Sequence, residues 1–214
     1  MTFPHVCIKN ERLSPALFRL RVSAGGKRFL AGQCFNVGLP DSSINREYSV
    51  ASGERYDHVD FLVREVVGGS FSPSLAQVKE GEPIELNGPY GEFTLEKRDL
   101  LTDRIVFIAT GTGIAPVLSF IETYPELKCL VLHGVRSENE TFFASQFVNQ
   151  EYIPCVSQNG LSKFSYVQDY LSDQVTDLNA HYYLCGNQRM ICEVSEMLYE
   201  KGISGDNVVS EVFF

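Results

Sequence analysis

No stretch of this sequence approaches the roughly 20 consecutive apolar residues that a membrane-crossing helix requires. Met1-Thr2-Phe3-Pro4-His5 also lacks the charged segment followed by an apolar one that marks a secretory leader. A cytoplasmic chain with no membrane insertion is the expectation. The cysteines Cys7, Cys34, Cys129, Cys155, Cys185 and Cys192 include no C-x-x-C pair and no close-spaced set. That spacing does not fit a zinc or iron-sulfur site, so no metal is expected, and most of these thiols read as reduced core residues in apolar strands. An excess of positive charge is missing as well: the net charge is −9, and residues 101 to 214 carry 6 Lys and Arg against 14 Asp and Glu. A general role on nucleic acid or an anionic membrane is disfavoured. Residues 1 to 30 run the other way, with Lys9, Arg12, Arg19, Arg21, Lys27 and Arg28 against only Glu11. This zone reads either as a landing surface for an acidic partner or as the solvated side of strands, since Arg19 and Arg21 alternate.

What is present is enough chain, 214 residues at 44% hydrophobic content, for two domains with real cores. From Val6 to Leu86 short alternating segments are broken by turn residues, which predicts an antiparallel six-stranded β-barrel or a sandwich. Within it stands Arg46-Glu47-Tyr48-Ser49-Val50-Ala51-Ser52. A pleated strand puts Arg46 and Tyr48 on one face and Ser49 on the other. The heptapeptide is either a ligand strand for something with a phosphate and an aromatic ring, or an amphipathic strand with a solvated Arg and a core Tyr. Val67-Gly68-Gly69-Ser70-Phe71-Ser72-Pro73 then leads into a short helical run. It is a phosphate site at a helix start, or simple capping with Ser70 or Ser72 as N-cap and Pro73 in the first turn. Gly88-Pro89-Tyr90-Gly91-Glu92-Phe93 predicts a tight loop, and the polar stretch Glu96-Lys97-Arg98-Asp99 a boundary, giving domains 1–98 and 99–214.

After the boundary the period changes. Ile105 to Ala109 is a continuous apolar run, as in a strand buried on both faces of a parallel sheet. It enters Thr110-Gly111-Thr112-Gly113-Ile114-Ala115-Pro116, a Gly-x-Gly turn that lets a dinucleotide diphosphate approach the backbone at a helix start. The third glycine of the usual fingerprint is absent, and no acidic residue is placed for a ribose. Strands follow at Cys129–His133, Tyr152–Val156, His181–Cys185 and Val208–Phe214, with helices at 142–148, 165–171 and from Asn187 to Gly202. The alternation predicts an open parallel five-stranded α/β sheet with ligands at the carboxyl ends of its strands.

REYSVAS at 46–52, GGSFS at 68–72, GPYGEF at 88–93, TGTGIAP at 110–116, GVR at 134–136, CGN at 185–187 and the terminal EVFF occur in this order. In them the chain resembles the ferredoxin-NADP reductase superfamily. The resemblance implies a flavin-binding barrel followed by a nicotinamide-binding sheet, with FAD and NAD(P)H as cofactors. It places Arg46 on the flavin diphosphate, Tyr48 on the isoalloxazine, Ser49 near N5, and Gly69, Ser70, Phe71 and Ser72 on the diphosphate from the other side. Glu47 falls within the same motif. Gly111, Thr112 and Gly113 would cradle the nicotinamide dinucleotide, with Arg136 and Gly186 in the same site and Cys185 beside the nicotinamide. Glu211 would lie near the hydride path, and Phe213 would match the aromatic that covers the flavin, with Phe214 one residue beyond. Ser49, Cys185 and Glu211 are the residues implied closest to the chemistry. Ser157 precedes Gln158 where NADP-preferring relatives have arginine, so only Arg136 and Lys163 remain for a 2′-phosphate.

The implied activity is a flavoprotein reductase that takes hydride from NAD(P)H and passes electrons to a ferredoxin-like or other redox protein. A free-flavin or ferric-chelate reductase is the second reading, and a non-catalytic flavin-binding electron-transfer subunit the third.

Overall fold

The computed structural model describes residues 5–40, 42–96, 99–101, 104–158, 162–174 and 176–213. The chain forms two compact units. One gathers the chain up to Thr94 together with Ala115–Thr123, and the other gathers Leu95–Ile114 and everything from Tyr124 onward. Lys97 and Arg98, where the expected boundary falls, lie outside the described residues, as does Phe214.

The first unit is antiparallel. Strands β1 (Cys7–Ser14), β2 (Leu17–Ser23), β3 (Cys34–Gly38), β4 (Asn45–Ser49), β5 (His58–Arg64) and β6 (Glu85–Tyr90) form two three-stranded sheets, ordered β1-β2-β5 and β4-β3-β6. Isolated bridges, Val6 with Pro83 and Val50 with Phe61, join their edges. The six strands therefore close as the expected barrel. Alternation sets its inside: Phe18, Leu20 and Val22 are fully buried while Arg19 and Arg21 stay outside, and Phe35, Val37, Phe61 and Val63 complete the wall. Phe35 meets Phe29 and Phe61 edge to face at 6.2 and 6.3 Å, the arrangement aromatic quadrupoles favour.

Helix α1 (Ser72–Leu75) begins after Phe71, which makes no side-chain cap. Neither Ser70 nor Ser72 is the cap, because Phe71 is drawn into the barrel core and Ser72 Oγ accepts from Val66 N at 2.9 Å. The tight loop expected at Gly88-Pro89-Tyr90 is the end of β6 instead. Its pairing with β3 runs on to Tyr90 opposite Cys34 across an irregular register, and Gly88 with φ 135° lies close over the Phe35 ring.

Helix α2 (Ala115–Thr123) belongs to this unit too. Its last turns are tied to the loop after β4: Ser119 Oγ donates to Ser52 O at 2.7 Å, and Glu122 accepts from Gly53 N at 2.9 Å. A Cβ on Gly53 would stand 3.1 Å from Glu122 Cβ, so any larger residue would have to push the helix aside by a few tenths of an ångström.

The second unit is parallel, with β7 (Ile105–Thr110), β8 (Cys129–Val135), β9 (Glu151–Val156), β10 (His181–Asn187) and β11 (Val208–Phe213) in the order β11-β10-β7-β8-β9. The chain builds outward from β7 in one direction and then resumes on its other side, so the order reverses between β7 and β10. Open parallel sheets bind ligands at such a switch point, at the carboxyl ends of the strands. Helix α3 (Val167–Asp173) starts two residues later than the sequence predicts, because the Asp169 carboxylate accepts from Ser165 N and Tyr166 N and holds both outside the helix. The helix expected over 142–148 is replaced by single 3₁₀ turns at Glu138–Glu140 and Ala144–Gln146. Phe143 and Phe147 are buried at the helical spacing that prompted the expectation, but Phe147 leaves the turn at ψ 64° and stacks on Tyr152 with centroids 4.7 Å apart.

Helix α4 (Gln188–Glu200) has both expected ends. Asn187 Oδ1 accepts from Met190 N at 2.9 Å. At the other end Gly202, at φ 90°, donates to Tyr199 O and Ile203 donates to Leu198 O. That pair of bonds is the Schellman closure, and the buried Ile203 and Leu198 supply its apolar contact.

Candidate functional site

In the first unit β4 pairs with β3 so that Tyr48 stands opposite Phe35, Arg46 opposite Val37, Ser49 opposite Cys34 and Glu47 opposite Asn36. Arg46 and Tyr48 therefore share one face and Ser49 and Glu47 the other, as the strand period requires. Arg46 is exposed, with Nη1 donating to Asn45 O at 2.7 Å. Tyr48 is half-buried and leans on Phe61 with centroids 6.3 Å apart; burial pushes its phenol up to about 12, against the pull of Arg46. Ser49 is buried. An exposed guanidinium fork and a half-buried flat ring on one face of the strand fit a diphosphate joined to an aromatic ring system, while Ser49 lies buried on the other face.

Across Gly69 to Ser72 the chain turns tightly, with Gly68 at φ 74° and Gly69 N donating to Val66 O. Phe71 is spent on the core and Ser72 Oγ on Val66, so Ser70 alone exposes its side chain here. Any phosphate contact from this segment is made by Ser70 or by backbone.

In the second unit the β7 and β10 ends converge. Gly111 (φ 55°) through Ile114 forms a 3₁₀ turn, with Gly111 and Thr112 half-exposed and Gly113 buried. A Cβ on Gly113 would fall 2.3 Å from Cys185 O, and one on Gly186 would fall 2.2 Å from Thr110 Oγ1. Gly113 is thus required by packing of the turn on β10, where the sequence pointed to ligand approach; Gly111 carries the left-handed backbone. Thr110 Oγ1 also accepts from Asn187 N and Nδ2 at 3.2 and 3.0 Å, so the start of α4 is tied to the same turn.

Cys185 is buried, 1% exposed, and its Sγ donates to Glu211 Oε2 at 3.8 Å across the β10-β11 register. Desolvation first, and Glu211 second, raise this thiol well above its ordinary range, so it is a neutral S–H rather than a thiolate. Glu211 and Phe213 are half-buried on β11, Phe213 opposite Asn187. Arg136 is exposed just beyond β8. Lys163 is exposed, with Nζ 3.2 Å from Asp173 and 4.7 Å from the Phe164 ring centroid.

The structure adds a residue that sequence reasoning passed over as strand filling. His133, buried in β8, places Nε2 2.9 Å from Gly111 O and Nδ1 2.8 Å from Tyr152 Oη. The one signal in the sequence is a histidine inside an apolar run directly before Gly134.

The oxidoreductase FAD-binding domain family matches residues 7–95 and the oxidoreductase NAD-binding domain family residues 107–196. The toluate 1,2-dioxygenase electron transfer component of Pseudomonas putida is 32% identical over 204 residues, covering 86% of this chain and 59% of that protein. The reductase component of propane 2-monooxygenase from Rhodococcus jostii is 27% identical, covering 96% of this chain and 60% of that protein. The chain thus spans about three fifths of the curated relatives it matches. A ferredoxin NADP+ reductase from Neisseria gonorrhoeae, solved with FAD and NADP, superposes with a TM-score of 0.85 at 20% identity over 98% of both chains. With a closed antiparallel barrel that matches the FAD-binding family and a five-stranded parallel sheet that matches the NAD-binding one, the chain belongs to the oxidoreductases that join these two domain families, in the fold of the ferredoxin NADP+ reductase.

Proposed function

We propose that this chain is an NAD(P)H-dependent flavoprotein reductase that draws hydride from a nicotinamide dinucleotide, with NADH preferred, and delivers electrons to an oxygenase component or a ferredoxin-like protein. Residues 1–98 are assigned to the flavin domain and 99–214 to the nicotinamide domain, with α2 of the latter grouped in the first compact unit. The observation that carries this reading is the switch point: the glycine turn after β7, Cys185-Gly186 at the end of β10 and Glu211 on β11 come together where a parallel sheet binds nucleotides. FAD, when bound, supplies the hydride acceptor and splits the pair into single electrons.

The chain's own residues bind and orient. Arg46 grips the flavin diphosphate, Tyr48 lies along the ring system and Ser49 hydrogen-bonds its edge. Ser70 and the Gly69–Ser72 backbone meet the diphosphate from the other side. Gly111, Thr112 and Gly186 receive the nicotinamide dinucleotide, and Arg136 meets its diphosphate. The neutral Cys185 thiol and Glu211 flank the nicotinamide as a hydrogen-bonded pair. Phe213 is assigned to the flavin on its match to the family's terminal aromatic alone. The relatives named as electron transfer and reductase components support a protein acceptor. The cytoplasm is the proposed compartment, supported by six free cysteines and by the lack, among the described residues, of any helix long and apolar enough to cross a membrane.

Anaerobic titration of the purified yellow protein with NADH and with NADPH tests the reading. Loss of the flavin absorbance on adding nucleotide, followed by its return with a one-electron acceptor, is the expected result. A flavin that neither nucleotide bleaches would mark a non-catalytic subunit. Turnover that requires free flavin or ferric chelate, with none on a protein acceptor, would assign the reductase of small molecules instead.

A further inference from the structure

The carbonyl of Gly111 and the N–H of Thr112 belong to one planar trans peptide, so they point in opposite directions. The carbonyl is held by the buried ring of His133 at 2.9 Å. The Thr112 N–H therefore points away from β8, on the half-exposed side of the turn. Glycine at 111 offers little steric resistance to rotation of that peptide, and a rotated peptide would present its carbonyl oxygen where the N–H had been.

The hydrogen-bond partners assign the imidazole. Gly111 O only accepts, so Nε2 carries a proton; burial lowers the ring's affinity for a second one, so Nδ1 is bare and accepts from the Tyr152 hydroxyl at 2.8 Å. Tyr152 is itself fixed by stacking on Phe147, with the rings 13° from parallel. The chain Phe147–Tyr152–His133–Gly111 thus runs from the turn before β9 through β9 and β8 to the glycine turn.

We propose that His133 is the positioning residue of the nucleotide turn: by holding the Gly111 carbonyl inward it keeps the Thr112 N–H aimed at the dinucleotide diphosphate and prevents a rotated peptide from opposing that anion with a carbonyl oxygen. The proposal rests on the reading that this turn receives the dinucleotide. His133 touches no reacting atom, so its effect falls on binding rather than on the limiting rate of hydride transfer.

Rapid-mixing reduction of the FAD-loaded protein by NADH separates the dissociation constant from the limiting rate. His133→Phe keeps a ring and removes the donor; a rise in dissociation constant of about tenfold is expected, with the limiting rate within about twofold. His133→Gln returns an N–H near the Nε2 position and recovers most of the affinity. A wild-type dissociation constant in His133→Phe overturns the proposal, and so does a glutamine variant no better than phenylalanine, which would reduce the effect to packing. Thr112→Pro removes the N–H itself: a folded, flavin-loaded proline variant that binds NADH normally refutes the turn as the diphosphate site, and the brace with it. Loss of affinity in Thr112→Pro but not in His133→Phe refutes the brace alone. Should the phenylalanine variant fail to fold, the wild-type long-range proton-nitrogen spectrum still decides. The Nε2–H tautomer supports the clamp, and an Nδ1–H tautomer overturns it.

Discussion

At His133 the cost of burying a charge outweighs the groups that favour it. Desolvation lowers the imidazole from 6.5 to about 4, against the Gly111 carbonyl and the more distant charge of Glu140. In the unfolded chain the ring titrates near its ordinary value, so between these two values the unfolded state binds the extra proton and the folded state refuses it. The stabilisation is complete above the unfolded value and is lost as pH falls through this window, about 3 kcal/mol in all and about 2 kcal/mol by pH 5. Urea unfolding at pH 7 and pH 5 checks this: the wild type should lose about 2 kcal/mol more than His133→Phe, which has no such proton to take up. None of this was legible beforehand, since the residues that fix the ring lie 19 and 22 positions away. Arg46, Tyr48 and Ser49 were legible because strand alternation alone decides their faces. Gly113 was legible as a special position but for a different reason, because the clash it avoids is with a strand 72 residues on.

Elements were readable where both ends carry local chemistry. In α4 the asparagine cap and the glycine closure are short-range devices, so its bounds follow from a handful of neighbouring residues. The segment 142–148 had apolar spacing but no cap, and the stacking of Phe147 on Tyr152 prevailed over a helix that little else favoured. The barrel strands followed from alternation, whereas their closure depends on two single bridges that no local pattern announces. The α4 cap also has a second duty, since Asn187 Nδ2 donates to Thr110 Oγ1 at the end of β7, beside the turn proposed to receive the nucleotide. Asn187→Ala should therefore cost about 1 kcal/mol in urea stability for the lost cap. It should also raise the NADH dissociation constant, whereas a purely helical role would move stability alone.

Charge acts over the whole molecule. The cations of residues 1 to 30 look like a landing surface for an acidic partner in the sequence, yet the fold pairs four of them: Lys9 and Arg19 with Glu11, Arg12 with Glu65, and Arg21 through both guanidinium arms with Asp60. Their positive charge is thus largely neutralised locally, and the 14 acidic against 6 basic residues of positions 101 to 214 dominate the field around the proposed nucleotide site. NADPH brings a further dianionic phosphate into that field. The cations that could receive it are few and lie beside carboxylates: Gln158 is uncharged, Lys163 is exposed next to Asp173, and Arg136 is followed by Glu138 and Glu140. A charge-assisted contact to phosphate contributes about 1.5–3 kcal/mol, and without one nothing offsets the repulsion of the extra phosphate, so NADH is the better donor in kcat/KM. Two terms contribute to that ratio and they respond differently to salt. Long-range repulsion is screened within about 8 Å at physiological ionic strength, whereas the missing contact is not restored by any salt. Raising ionic strength should therefore lower KM for NADPH more than for NADH and narrow the preference without reversing it. Gln158→Arg should narrow it at every ionic strength by supplying the contact itself. Steady-state kinetics with both nucleotides across a salt series, in the wild type and in this variant, separates the two terms; a preference for NADPH at low salt would contradict the charge argument outright.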